Sequence, residues 1–210
     1  MTDVSKKIAQ SLLSIQAIKL QPSNPFTWAS GWKSPIYCDN RVTLSHHAIR
    51  TFIRDEFVNI VKKRYPNVEV IAGVATGAIA QGALVAQEMQ KPFVYIRSAA
   101  KSHGMENLIE GEIKQGQKVV VVEDLISTGG SSLKAVEALR GAGCEVLGMV
   151  AIFSYQFQTA IDNFANAKVE LCTLSDYTAL VDLALETKYI DANQFQQLNQ
   201  WRIDPASWGK

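Results

Sequence analysis

The sequence carries almost no excess charge: 21 Lys and Arg stand against 20 Asp and Glu, a formal net charge of +1 over 210 residues. A chain without a global field does not hold a nucleic acid or an anionic membrane by bulk attraction, so any basic site has to be local. No apolar run approaches the roughly 18 to 20 residues of a membrane span, and the polar start Met1-Thr2-Asp3-Val4-Ser5-Lys6-Lys7 is unlike a secretory leader. A cytoplasmic protein is the expectation, with neither nucleic acid nor membrane as partner. Cysteine is scarce: Cys38, Cys144 and Cys172 are odd in number, far apart, and without a CxxC or a nearby histidine pair. That excludes a disulfide framework and offers no zinc pattern, so the three read as structural thiols. Internal repeats and low-complexity segments are absent as well.

What is present is enough for one core. Hydrophobic residues make up 47% of the chain, which suits a single domain over residues 1–210 with at most a small appendage. Ile8, Leu12, Leu13 and Ile15 fall at helical spacing after a possible cap at Asp3, predicting a helix near residues 3–16. Residues 17–43 differ, because Pro22, Pro25, Gly31 and Pro35 break up short runs bearing Phe26, Trp28, Trp32 and Tyr37; a hairpin-rich hood is expected there. The core is expected over about 46–190. It opens with a helix near 46–65 that ends in Lys62, Lys63 and Arg64, where positive charge suits a helix C-terminus. Short β-rich runs then alternate with helical ones: Val68 to Ala72, a helix near 78–90, Phe93 to Ile96, Lys118 to Glu123, a helix near 130–142, Val146 to Phe153, and Val169 to Leu174. Such βαβ alternation predicts an α/β fold with a mainly parallel central sheet flanked by helices. Its ligand belongs beyond the carboxyl ends of the strands.

The most informative stretch runs from Val119 to Ser132. Four valines in succession read as a strand buried on both faces, and Leu133, Val136 and Leu139 recur in the helix that follows. Between them Ser127, Thr128, Gly129, Gly130 and Ser131 offer backbone N–H groups, hydroxyls and two residues without Cβ, so a phosphate can approach the backbone at a helix N-terminus. One helix-end interaction is worth only about 0.3–1 kcal/mol, so several donors must converge on one dianion. Glu123 and Asp124 immediately before this cradle would repel a phosphate. They suit the hydroxyls of a sugar diol, or a hydrated Mg²⁺ shared with a diphosphate. The run matches neither GxxxxGK[ST] nor GxGxxG, which argues against a nucleoside-triphosphatase or dinucleotide site.

A second candidate segment, Arg97-Ser98-Ala99-Ala100-Lys101-Ser102-His103-Gly104, opens a polar, glycine-bearing region to residue 116 that reads as a loop. Arg97, Lys101 and His103 could neutralise a departing diphosphate. The turn Ala72-Gly73-Val74-Ala75-Thr76-Gly77-Ala78 also joins a strand to a helix, and its small residues serve either tight packing or ligand approach.

The run from Val120 to Ser131 resembles the phosphoribosyl-diphosphate motif of type I phosphoribosyltransferases. Residues 97–104 resemble the catalytic loop of that family's orotate-using members, and residues 26–41 resemble their amino-terminal base-binding segment. The resemblance spans most of the chain in the family's order. It implies the type I phosphoribosyltransferase fold with a small N-terminal hood. It also implies transfer of the 5-phosphoribosyl group from 5-phosphoribosyl 1-diphosphate to orotate, giving orotidine 5-monophosphate and diphosphate in pyrimidine biosynthesis.

By the same resemblance Glu123 and Asp124 contact the ribose, Leu125, Ile126, Ser127, Thr128, Gly129, Gly130 and Ser131 hold the 5-phosphate, and Arg97, Lys101 and His103 are catalytic and bind diphosphate. Lys101 and His103 would reach into the neighbouring subunit of a homodimer. Orotate would be bound by Ser127, Lys33 and Tyr37. The implied cofactor is Mg²⁺, held mainly by substrate and water with Glu123 and Asp124 nearby and no direct protein ligand. The chain departs from many orotate-using members, which carry a lysine in the segment aligned with Thr76 and Gly77, a lysine at Ala29, a second basic residue at Ser98 and an arginine near Tyr155. The partner of the orotate carboxylate is therefore open, with Lys33 and Arg41 as candidates. Two other readings share the 119–132 run: a purine phosphoribosyltransferase, and a non-catalytic sensor of phosphoribosyl diphosphate.

Overall fold

A computed structural model describes residues 2–27, 31, 33–98 and 108–208. Helix α1 (Asp3–Ser14) is capped by Thr2, whose hydroxyl accepts from the Ser5 amide at 3.1 Å; Asp3, the cap expected from sequence, is instead the first helical residue and pairs with Lys7 at 2.6 Å. An acid suits this first turn because the helix dipole is positive there. Strand β1 (Ile18–Leu20) pairs antiparallel with β4 (Ile36–Cys38), and β2 (Phe26–Thr27) pairs with β3 (Lys33–Ser34). A 3-10 helix over Asn40–Ser45 leads into α2 (His47–Arg64).

The remaining strands form one six-stranded sheet. They are β5 (Val70–Val74), β6 (Phe93–Ile96), β7 (Ile109–Glu110), β8 (Lys118–Ile126), β9 (Glu145–Ser154) and β10 (Leu171–Asp176), in the order β10-β9-β8-β5-β6-β7. All neighbours are parallel except β7, which lies antiparallel on the edge against β6. Helices α3 (Ile79–Met89), α4 (Gly130–Gly141) and α5 (Gln158–Asn166) connect the strands, and α6 (Tyr177–Glu186) and α7 (Ala192–Ile203) follow β10.

Why β8 lies in the middle follows from its side chains. Val120 and Val122 enter the core shared with α1, α2 and α6, whereas Val119 and Val121 enter the core under α4 and α5. A strand apolar on both faces can only be covered on both faces. From β5 the chain steps outward to β6 and from β8 it steps the other way to β9 and β10, so the winding reverses between β5 and β8. The carboxyl ends of these two strands diverge there and leave a crevice.

A second expectation from sequence needs correction. Strand β8 does not stop at Glu123 but continues to Ile126, because Leu125 and Ile126 keep their pairing with Phe153 and Ser154 of β9. Of the carboxyl-terminal apolar residues, Leu174, Leu180 and Leu183 are buried, whereas Ile161 and Leu185 lie on the surface. Beyond residue 190, α7 adds Leu198 and Trp201 to the core.

Candidate active site

The turn from Ser127 to Gly129 joins the end of β8 to the first turn of α4. Gly129 takes φ +80°, and a Cβ there would lie 2.7 Å from the ring of Phe164. Both constraints demand glycine, since the left-handed region and the ring contact each exclude a side chain. Across the crevice the turn after β5 brings Ala75, Thr76 and Gly77 to the same place; the Ala75–Thr76 peptide is cis. Together these two turns enclose a cavity of about 310 Å³ faced by Thr76 and Gly77 on one side and by Glu123, Asp124, Leu125 and Ser127 to Ser132 on the other. The turn at 72–78, ambiguous in sequence, thus forms one side of the cavity wall. A Cβ on Gly77 would overlap the Asp124 carboxylate, so the two turns touch at the acid itself.

The adjacent acids are held differently because successive residues of a strand face opposite ways. Glu123 is only 5% exposed; Ser132 donates its hydroxyl to Oε2 at 2.8 Å and the Asp124 amide donates to Oε1 at 2.9 Å. Burial, reinforced by the charge of Asp124, pushes the Glu123 carboxyl well above the usual carboxylate range, and the two donors act against that rise. Asp124 is half-buried beside Gly77 and faces the cavity with its carboxylate. Leu125 lines the cavity too, but Ile126 does not: its side chain is fully buried in the core and its carbonyl accepts from the Tyr155 amide at 3.0 Å. Ile126 belongs to the core under α4 and α5 and not to the cavity wall.

A second cavity of about 720 Å³ adjoins the first and shares Val74, Ala75, Gly130 and Ser131 with it. Arg97 and Ser98 at the end of β6 and Lys134 on α4 line it. Arg97 is tied to Glu110 at 3.5 Å, and its backbone amide donates to Leu108 at 2.9 Å. Lys134 was not singled out in the sequence, since a lysine in a helix near a surface carries no distinguishing pattern. Lys101 and His103 lie outside the described residues, as do Trp28, Ala29 and Trp32 of the hood.

In the hood, Lys33 donates to the Thr27 hydroxyl at 2.9 Å across the β2–β3 pair, and Tyr37, 41% exposed, packs against Phe26 with ring centres 5.6 Å apart. Arg41 is paired through two nitrogens with Asp39, at 2.7 and 2.9 Å, and this partner holds the Asp39 carboxyl below its usual range. Burial first, and then the charges of Asp124 and Asp39, push the Cys38 thiol well up. These directions place Cys38, on the strand after Tyr37, within the field of the cavity acid.

A family of phosphoribosyl transferase domains matches residues 44–186 of the chain. The orotate phosphoribosyltransferase of Phocaeicola vulgatus is 61% identical over 208 residues, covering 99% of this chain and 98% of that protein. The chain belongs to the orotate phosphoribosyltransferases. This family makes it an enzyme of the pentosyltransferase class. Among solved structures, orotate phosphoribosyltransferase from Aeropyrum pernix has a TM-score of 0.76 at 26% identity, covering 88% of this chain and 99% of that one. UMP synthase of Leishmania donovani has a TM-score of 0.78 at 26% identity; it covers 94% of this chain, which spans 42% of that longer protein.

Tyr155, directly after β9, sits in an aromatic cluster. Here the ring is 2% exposed, stacked on Phe157 at 5.4 Å and edge-on to Trp201 at 5.7 Å. An arginine in this aromatic enclosure would be a buried charge, which a tyrosine avoids. Among the described residues no three His, Cys, Asp or Glu side chains converge as a metal cage. The oxygen donors at the cavity, Asp124 and Glu123, fit a hard cation that keeps most of its waters and phosphate ligands.

Proposed function

We propose that the chain transfers the 5-phosphoribosyl group from 5-phosphoribosyl 1-diphosphate to orotate, forming orotidine 5-monophosphate and diphosphate in pyrimidine synthesis. The observation that carries this reading is the meeting of an acid pair and a Ser/Thr/Gly turn on one cavity, with a cation-lined cavity opening from it. The N–H groups and hydroxyls of Ser127 to Ser131 hold the 5-phosphate at the start of α4. Asp124 accepts from the ribose hydroxyls, and Glu123 retains lone pairs for the same diol beyond those used by Ser132 and Asp124. A ring nitrogen of orotate bonds to the anomeric carbon as the carbon–oxygen bond to diphosphate breaks, and the electron pair leaves with diphosphate. Orotate is readily deprotonated at neutral pH, so no dedicated base is needed.

Arg97, Lys101 and His103 neutralise the departing diphosphate, where positioned charge is worth most. Mg²⁺, held by substrate oxygens and water with Asp124 and Glu123 nearby, supplies further charge compensation when bound. Ser127, Lys33 and Tyr37 contact the base; Arg41 is engaged by Asp39 whereas Lys33 bonds the neutral Thr27 hydroxyl and forms no ion pair among the described residues, which favours Lys33 for the orotate carboxylate. The hood of 17–43 closes over the core of 46–190 within a single domain. Lys101 and His103 serve the neighbouring site of a homodimer. Cys38, Cys144 and Cys172 are free thiols, which supports a reducing, cytosolic setting. No helix of the described residues is long and apolar enough to cross a membrane.

The test is to assay orotate, adenine, hypoxanthine and xanthine with 5-phosphoribosyl 1-diphosphate, with and without Mg²⁺. Mg²⁺-dependent turnover of orotate alone is expected. Turnover of a purine in its place would overturn the base assignment, and binding of phosphoribosyl diphosphate without product would point to a sensor. Lys101→Ala should lower turnover by about 10² or more, as for the loss of one preorganised transition-state donor. Near-normal turnover in that variant would reject the role of Lys101.

A further inference from the structure

We propose that Asn163 and Asn40, both outside the phosphate motif, are positioning residues that turn the motif's carbonyl groups away from the bound anion. The inference rests on the reading of the 310 Å³ cavity as the phosphoribosyl site. A turn binds a dianion only if its N–H groups face inward, and a peptide plane that presents N–H to one side presents C=O to the other. Around this turn four carbonyls are engaged by donors from outside the cavity. Asn163 on α5 donates its amide to the Thr128 carbonyl at 2.9 Å, and Asn40 at the start of the 3-10 helix donates to the Asp124 carbonyl at 2.6 Å. The Tyr155 amide holds the Ile126 carbonyl at 3.0 Å and the Leu133 amide holds that of Gly129 at 2.9 Å. None of these four donors faces the cavity.

Two of the four are regular backbone pairings that any sequence could make. The other two depend on a particular side chain. Strand β5 pairs with β8 only as far as Val122, so the Asp124 carbonyl, two residues further along, is met by Asn40 instead of a strand. Asn40 is itself 1% exposed, and its Oδ1 accepts from the Cys38 thiol at 3.5 Å, which links the base-binding strand to the acid pair. On the other side, Thr128 lies at the exposed crest of the turn, next to Gly129, whose freedom would otherwise allow the preceding peptide to flip. Asn163 and its neighbour Phe164 brace that crest from α5, the amide on one carbonyl and the ring against Gly129. A flipped Thr128–Gly129 peptide would put a carbonyl oxygen where the phosphate needs a donor.

The test uses the full chain in calorimetry with ribose 5-phosphate and with 5-phosphoribosyl 1-diphosphate plus Mg²⁺. Asn163→Ala and the near-isosteric Asn163→Asp, which lacks the donor, should each weaken both ligands about three- to tenfold, the scale of one neutral hydrogen bond. In steady-state assays the loss should fall on KM for phosphoribosyl diphosphate and leave KM for orotate in place, a split that general destabilisation would not give. Asn40→Ala should add a comparable loss; if it does not fold, the Asn163 variants on the partly exposed helix decide. Should wild type bind neither ligand, the cavity reading fails. Should wild type bind and both Asn163 variants match it within about twofold, the positioning role is overturned while the cavity reading stands.

Discussion

Glu123 sits where a carboxylate is expensive to keep charged: nearly enclosed, next to Asp124, with a serine hydroxyl and one amide as its donors. Its pKa is raised first by desolvation and then by its neighbour's charge, so in the folded protein it binds its proton more tightly than in the unfolded chain. Stability from the protonated form is fully present below the unfolded value of 4.5 and is lost as pH rises through the folded value. Glu123→Gln keeps the neutral shape at every pH. Its melting temperature should therefore match wild type near about pH 4 and exceed it by about 3 °C or more near about pH 8. A flat or inverted difference across that range would show that burial of this charge is not a cost. At Gly77 the expectation is the reverse, little change in stability and a large one in binding. An added methyl overlaps the Asp124 carboxylate, a short side chain that can swing aside, but the swing removes it from the proposed ribose position. Gly77→Ala should lower affinity for phosphoribosyl diphosphate about tenfold or more by calorimetry while melting within about 3 °C of wild type. Unaltered affinity would place the ribose away from Asp124.

At the scale of elements, the strand–turn–helix from 118 to 141 was legible because three independent signals coincide: valines on successive positions, a Gly-Gly turn, and apolar residues at helical spacing after it. The same signals do not say where β8 ends. Pairing with β9 carries the strand through both acids to Ile126, along which Glu123 is enclosed, Asp124 lines the cavity and Ile126 enters the core. The turn at 72–78 is ambiguous in sequence, since small residues serve both packing and binding; what settles its place is the reversal of winding between β5 and β8, a tertiary fact. Helix α7 went unread because its buried Leu198 and Trp201 are set among glutamines and asparagines and give a weak apolar face. Helix α3 carries the opposite anomaly, a glutamine on its buried side among Gly82, Val85 and Ala86. Gln81 is 1% exposed, and its carboxamide finds no hydrogen-bond partner among the described residues. An unsatisfied buried amide costs about 1–3 kcal/mol, so Gln81→Met, close in volume, should raise the melting temperature by about 3 °C or more. A lower melting temperature would mean that the amide is satisfied in solution.

For the whole molecule, the described cavity is acidic and polar on the sides proposed to hold the sugar, and Ser98 and Leu108, the described residues that flank Lys101 and His103 in sequence, both line the adjoining cavity. If the cations of one subunit act on the diphosphate of the other, a site is made of Asp124 from one chain and Lys101 from its partner. A two-fold dimer then has two such sites, each drawing once on each subunit. Lys101→Ala and Asp124→Asn homodimers should both be nearly inactive. Mixed after gentle dissociation, they form hybrid dimers in which one site bears both substitutions and the other bears neither. With random pairing half the dimers are hybrids and half their sites are intact, so turnover should recover to about a quarter of wild type. If each site is instead built within a single chain, every site in the mixture keeps a substitution and no activity returns. Sedimentation at assay concentration checks that the mixture is dimeric, so an inactive dimeric mixture would remove Lys101 from the neighbouring site.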